Sequence, residues 1–313
     1  TLPWLSFLKI RGSWGSVGND RITNKRFPYL TIMNENANKG WNGSNGVTEQ
    51  SVGADNLQWE KAIKLDLGIE GKLFNEQVDF TVDFFRDTRN DIFQQRTMVP
   101  DYIGLAEQPF GNVGSMVSYG ADGNISFRQD IGKDFSFTLR GNFTYTANMV
   151  KNWEEAFQKY SYQERADKPY EFYSGYIALG LFRDENDVKF SPDQSGIAGR
   201  KVLPGDIKYK DVNGDGVIND DDIVPLGYRE VPGLQYGVGL SANWRNWNLS
   251  VLFQGTGKCD FFIGGNGPHA FRSERYGNIL QAMVDGNRWI PKEISGTTAT
   301  ENPNADWPLL TLS

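Results

Sequence analysis

The residues with the most chemical potential form one short run. Asp211, Asn213, Asp215, Val217, Asn219 and Asp222 fall at positions 1, 3, 5, 7, 9 and 12 of that run, with Gly216 at position 6. Calcium is a hard cation that takes about six to eight oxygen ligands. This spacing supplies side-chain oxygens in alternation, a glycine for the tight turn and a backbone carbonyl at the seventh place. A structural Ca²⁺ is therefore one expectation for the loop. The twelfth position is Asp where helix-flanked calcium loops carry a bidentate Glu, and the flanks read as strand or coil. The same residues also read as an acidic turn kept solvated by Asp220 and Asp221.

Other chemistry-bearing types are sparse. Glu154 with Glu155, and Asp184, Glu185 and Asp187, could serve as acid and base in a glycosidase only if two carboxyls flank one bond at a defined separation, which closeness in sequence does not supply. Cys259 and His269 are the single cysteine and histidine. No disulfide framework, zinc set or cysteine–histidine catalysis follows from one of each, and no catalytic residue is assigned. Trp153, Tyr160, Tyr162, Tyr170, Phe172, Tyr173 and Tyr176 form an aromatic stretch. Such rings could stack on sugars, anchor a protein partner or pack within their own loop.

These residues must be positioned by strands. The 313 residues include 9 Trp, 13 Tyr and 20 Phe, and aromatic enrichment with frequent glycine favours strands. Mean hydropathy is −0.51, and no window offers the roughly 18 consecutive apolar residues of a membrane-spanning helix. The formal charge is −7, from 32 basic and 39 acidic residues, so a footprint for phosphate backbones is missing and nucleic acid is not an expected partner. The first residue is Thr1, with no initiator Met or signal peptide, and the end after Trp307-Pro308-Leu309-Leu310 is abrupt. The chain is expected to be a piece of a longer polypeptide.

Period-two alternation is the main signal. Ile63, Leu65, Leu67, Ile69 and Leu73 occupy odd positions; after Phe74–Gln77 the apolar set moves to even positions, at Val78, Phe80, Val82 and Phe84. A four-residue turn requires this switch if both strands keep one face. Ile125, Phe127 and Ile131 pass through Gly132-Lys133-Asp134 to Phe135, Phe137, Leu139 and Phe143 without a switch, as a three-residue turn requires. Tyr236, Val238, Leu240 and Trp244 lead through Arg245-Asn246 to Trp247, Leu249, Val251 and Phe253. A weaker strand is expected within Leu8–Val17, making six firm strands and one weaker one. Between the tight turns the expected connections are long, at 19–57, 86–112, 148–233 and from 255 onward.

Short turns at one end and long connections at the other fit an outer-membrane β-barrel, with fewer strands than the minimum of about eight for closure. A soluble antiparallel sandwich shows the same alternation, but its strands are usually shorter. The fold expected is thus all-β: a partial antiparallel transmembrane barrel over 1–257 with a large folded extracellular loop at about 151–233, and a further loop region over 258–313. A connection of that length must carry its own structure, and is long enough to cover a barrel mouth. Helices are expected from Asn152, with Glu155 closing a capping box, and from Asn278 through Met283 and Val284 to a stop at Gly286.

Several motifs resemble a known family. They are Leu57-Gln58-Trp59-Glu60-Lys61 before the first hairpin, Asn112-Val113-Gly114, Gly205-Asp206-Ile207-Lys208-Tyr209-Lys210-Asp211 running on to Ile218, Leu252-Phe253-Gln254-Gly255, Arg288-Trp289, and Glu301-Asn302-Pro303-Asn304-Ala305. In this order, across almost the whole chain, they resemble SusC-like TonB-dependent outer-membrane transporters. The resemblance implies the C-terminal part of a plugged barrel of about 22 strands, in the outer membrane of a Gram-negative bacterium. It further implies import of oligosaccharides or oligopeptides, coupling to TonB through an upstream segment, a lipid bilayer around the strands and a SusD-like surface lipoprotein as partner. The alternatives from other classes are a soluble secreted β-sandwich binding module with a structural calcium and a glycoside hydrolase fragment.

Overall fold

The computed structural model of the chain describes residues 3–24, 26–36, 42, 44–263, 270 and 279–310. It divides into two compact units, Thr1–Glu171 with Val231–Cys259, and Phe172–Glu230 with Asp260–Ser313.

The first unit is built on one antiparallel sheet. In chain order its strands are β1 (Leu5–Asn19), the short β2 (Ile32–Asn36) and β3 (Gly46–Ser51), β4 (Glu60–Leu73), β5 (Val78–Gln95), β6 (Phe110–Ile131) and β7 (Phe135–Asn152). The second unit contributes β8 (Ser174–Gly175), β9 (Ala178–Leu181), helices α1 (Glu185–Phe190) and α2 (Ser195–Ala198), β10 (Ile207–Tyr209) and β11 (Val224–Pro225). The sheet resumes with β12 (Leu234–Trp244) and β13 (Trp247–Gly257), and α3 (Gln281–Asp285) and α4 (Lys292–Ser295) follow in the second unit. Seven strands pair in the order β1-β4-β5-β6-β7-β12-β13, while β2 pairs only with β3.

The registers are those that the parity switches require. Leu73 faces Val78, Ile131 faces Phe135 and Trp244 faces Trp247. One row of side chains then crosses the sheet as Leu8, Gly71, Phe80, Ile125, Gly141, Val238 and Phe253, and the next as Ile10, Ile69, Val82, Gly123, Phe143, Tyr236 and Gly255. Within these rows, rings lie across glycine neighbours. A Cβ on Gly71 would sit 2.5 Å from the Phe80 ring, and one on Gly255 2.5 Å from that of Tyr236. Leu65, Leu67, Leu139, Leu240 and Leu249 share this apolar face and are exposed, Leu249 by 60%. From Ile63 to Leu73 a tilted strand covers about 25 Å, the height of a lipid-facing band.

The opposite face is polar. Lys9, Glu70, Thr81, Asn124, Asn142 and Gln254 belong to one of its rows, and Arg11, Asp83, Asp122, Thr144, Gln235 and Thr256 to the next. Glu70 lies 3.4 Å from Lys9 and 3.3 Å from Arg11, which also pairs with Asp83. The apolar face is exposed, not packed inward as the inner face of a sandwich would be.

Two expectations are corrected. The connection placed at 86–112 shortens to 96–109, because β5 runs on to Gln95 and β6 starts at Phe110. A register shift between Arg89 and Ile92, with Asp91 at φ 58°, breaks the alternation without ending the pairing. The helix from Asn152 does not form. Its intended cap is the last residue of β7 and donates to the Val113 carbonyl, Glu154 accepts from Arg96, and Glu155 accepts the Arg165 N–H. Tertiary partners thus take the groups that a capping box would use. The later helix does form as α3, with Met283 buried and Gly286 following it; Asn278, its expected cap, lies outside the described residues.

Candidate functional site

The six oxygen-bearing positions form one continuous turn in the second unit, and their side chains face the backbone. Asp211 accepts the Gly214 and Gly216 N–H groups at 2.6 and 2.9 Å. Asn213 accepts the Asp215 backbone N–H at 2.9 Å and donates to the Asp215 carboxylate at 3.0 Å, while that carboxylate accepts the Val217 N–H at 2.9 Å. Short Asx side chains do this readily, and Gly214 and Gly216, at φ 77° and 86°, supply the left-handed backbone between them. Val217 forms a bridge to Asp193, which both accepts from Ile218 and donates to Gly216.

Asn219 caps a short 3₁₀ turn, Asp220–Asp222, by accepting from Asp221. Asp222 is fully buried, and its two oxygens accept the Val212 N–H at 2.7 Å and the Asn219 N–H at 2.9 Å, tying the two ends of the run together. The donor set is all oxygen and so of the hardness calcium prefers. Each side-chain oxygen is nevertheless engaged by an N–H, and among the described residues no group of three or more His, Cys, Asp or Glu side chains gathers where an ion could be held.

Motifs separated by about 80 residues of sequence meet at Gly205. Gly205, at φ 88°, accepts the Leu309 N–H, and a Cβ there would lie 2.3 Å from the Trp289 ring. Only glycine allows that approach. Trp289, 3% exposed, donates its N–H to Trp307, and Asn302 donates to Asn287. Asp206 receives both arms of Arg200 at 2.7 and 2.9 Å and the Leu203 N–H at 2.8 Å. Phe182 bonds to both Gly205 and Asp206 through the backbone, and Val202, Ile218 and Val224 are also buried in this unit.

The carboxylates weighed as acid and base are engaged separately. Asp184 caps α1, Glu185 lies in its first turn, and Asp187 accepts from Lys208 at 2.8 Å and from the Arg183 N–H at 3.1 Å. The Lys208 hydrogen bond, against the opposing effect of burial, holds the Asp187 carboxyl below the usual carboxylate range. Burial pushes the Tyr209 hydroxyl up, and burial followed by the Asp220 charge does the same for Tyr176. The aromatic stretch packs largely on itself and its surroundings. Trp153 lies 5.6 Å from Tyr170, Tyr160 stacks on Tyr162 at 5.2 Å, and Tyr176 lies 5.3 Å from Tyr209. Phe157 is exposed by 93%. Cys259 is a free thiol, and His269 lies outside the described residues.

The family described as "TonB dependent receptor-like, beta-barrel" matches residues 2–286. The chain is 26% identical to TonB-dependent receptor P26 of Formosa agariphila, covering 96% of this chain and 29% of that one. It is also 26% identical to TonB-dependent receptor SusC of Bacteroides thetaiotaomicron, covering 79% of this chain and 24% of that one. Among solved structures, the RagAB peptide importer in its "open-open" state aligns with a TM-score of 0.61 at 20% identity, over 83% of this chain and 27% of that one. The "closed-closed" state gives 0.58 at 21% identity, over 82% and 27%. At these identities the likeness is one of fold. The chain spans 24–29% of the length of these curated relatives, so it is a segment of what they contain. The relatives are receptors, not enzymes. The chain belongs to the TonB-dependent receptor-like β-barrel family, and its two-faced, seven-stranded sheet is a segment of a Gram-negative outer-membrane barrel wall.

Proposed function

We propose that this chain is part of a TonB-dependent importer of oligosaccharides or oligopeptides that works with a SusD-like surface lipoprotein. The observation that carries the reading is the division of one sheet into an exposed apolar face and a polar, charged face, with turns of two to four residues at one end and long, structured connections at the other. Such a wall separates lipid from an aqueous interior. The TonB-dependent receptor name of one relative and the peptide-importer title of the RagAB structures support solute uptake. Uptake of labelled oligosaccharides and peptides by cells expressing the whole receptor tests this. Loss of uptake on deleting TonB or the adjacent lipoprotein is expected; unchanged uptake in both deletions contradicts it.

A structural Ca²⁺ at Asp211, Asn213, Asp215, the Val217 carbonyl, Asn219 and Asp222 is a second, separate part of the proposal. The all-oxygen donor set and its spacing support it, and an ion with its coordination filled by protein would hold the loop without activating water. Hydrogen exchange over 211–222 at millimolar calcium and in chelator is the check. Added protection that disappears in D211N/D215N supports the ion, while identical exchange leaves a turn closed by its own N–H groups.

A further inference from the structure

Beyond the polar face, the first unit holds a pocket of about 360 Å³ at the end of the sheet away from the short turns, between the β1–β4 connection and the start of β6. Phe93 and Phe110 stack in it with centroids 5.5 Å apart and an interplanar angle of 21°. Phe93 is buried, whereas Phe27 and Leu30 are half exposed and, with Val52, form walls open to solvent. The backbone holds these walls in place: Leu30 donates to the Phe27 carbonyl, Ala54 to Pro28, and Gly53 to the Thr31 hydroxyl. The polar lining is Arg26, Gln50, Ser51 and Glu107. Glu107 has an interaction of its own. Arg26 is exposed, and among the described residues its guanidinium has no hydrogen-bond or ion-pair partner.

We infer that this pocket receives an apolar, preferably aromatic, side chain of a peptide whose carboxylate pairs with Arg26. This inference rests on the importer reading and deepens it by choosing peptides over oligosaccharides. The choice follows from the lining. A sugar ring carries a hydroxyl on nearly every carbon, and an aromatic floor with aliphatic walls would leave several of them desolvated and unpaired, at a cost that an apolar side chain does not incur. Pockets of this size typically pair an apolar lining with a few polar groups that fix orientation. Arg26, the cation among the described lining residues, selects an anionic end, since a guanidinium binds a carboxylate with two parallel N–H bonds.

The test uses the whole receptor in lipid nanodiscs and calorimetry with four probes: Gly-Gly-Phe, its C-terminal amide, Gly-Gly-Gly and maltoheptaose. Gly-Gly-Phe is expected to bind about tenfold or more tightly than Gly-Gly-Gly, from burial of one aromatic side chain. Amidation should weaken it about threefold to fivefold, as an exposed charge pair allows. R26Q should weaken the acid by the same factor and leave the amide unchanged. V52W, which fills the pocket, should bring Gly-Gly-Phe to the level of Gly-Gly-Gly; if V52W does not fold, the R26Q comparison decides. Equal binding of Gly-Gly-Phe and Gly-Gly-Gly, indifference of the acid to R26Q, or loss of maltoheptaose binding instead in V52W overturns the inference. Failure of these arms while TonB-dependent uptake persists removes the pocket and leaves the importer reading intact. Binding as expected without any uptake removes the importer reading alone.

Discussion

The sheet of the first unit and the fold of the second use their apolar residues in opposite ways. In the second unit Phe182, Val202, Ile218, Val224, Met283 and Trp289 are buried, as in a small water-soluble protein. In the sheet, Leu67, Val238, Leu240 and Leu249 are exposed on one face while ions and amides line the other. Both arrangements satisfy the same requirement, that apolar atoms avoid water. The second unit meets it by packing inward, and the sheet by turning outward to hydrocarbon. A substitution should therefore have a different consequence in each region.

The largest effect is expected for Trp289→Ala in the second unit. It removes a buried indole wedged against Gly205 and should cost about 3–5 kcal/mol, read as lost hydrogen-exchange protection around 205–209 while the sheet stays protected. Next, Leu240→Arg should cost about 2–4 kcal/mol near mid-membrane, measured by folding into lipid vesicles. Ser241→Arg, one residue along and on the polar face, should fold nearly as the parent does. Equal penalties for the two would break the contrast between faces. Asp222→Asn presents an NH₂ group to one of two buried N–H donors and should cost about 1–3 kcal/mol, confined to exchange over 211–222.

The smallest effect depends on pH. Asp187 has a folded value below its unfolded one, so its contribution is complete above about pH 4 and is lost as pH falls through the lowered folded value. Protection of α1 should fall with acid in that window. Lys208→Met, which removes the main cause of the lowering, should shrink the acid-dependent loss and end it at higher pH, its onset being set by the unfolded value.

Much of the sheet was legible because register follows arithmetic: turn length and parity together determine which residues face each other, as at Leu73–Val78 and Trp244–Trp247. The ends of β5 and β6 were not legible, since a bulge at Asn90–Asp91 breaks the alternation that reveals a strand. The helix expected at Asn152 failed for a related reason, since Val113 and Arg165, distant in sequence, claim the capping groups. The acidic turn was legible as a turn. Its spacing could not reveal that Asp222 points both oxygens at main-chain donors, because calcium ligation and Asx turns favour the same residues at the same intervals. The pocket at Phe93 and Phe110 left no periodic trace, being assembled from four separate segments.

The pairing of β8 with β11 has a kinetic consequence. The hairpins β4–β5, β6–β7 and β12–β13 can zip locally, but joining β7 to β12 closes a connection of about 80 residues, whose entropy cost grows with the logarithm of its length. Ser174 lies opposite Pro225, and Leu226 donates to the Tyr173 carbonyl, so this insertion brings its own ends together. Once it has folded, the effective loop shrinks to about 30 residues and closure becomes easier by about 1 kcal/mol. The insertion is thereby a built-in accelerator for the slowest seam of the wall, and slowing its folding should delay barrel assembly without changing the assembled strands.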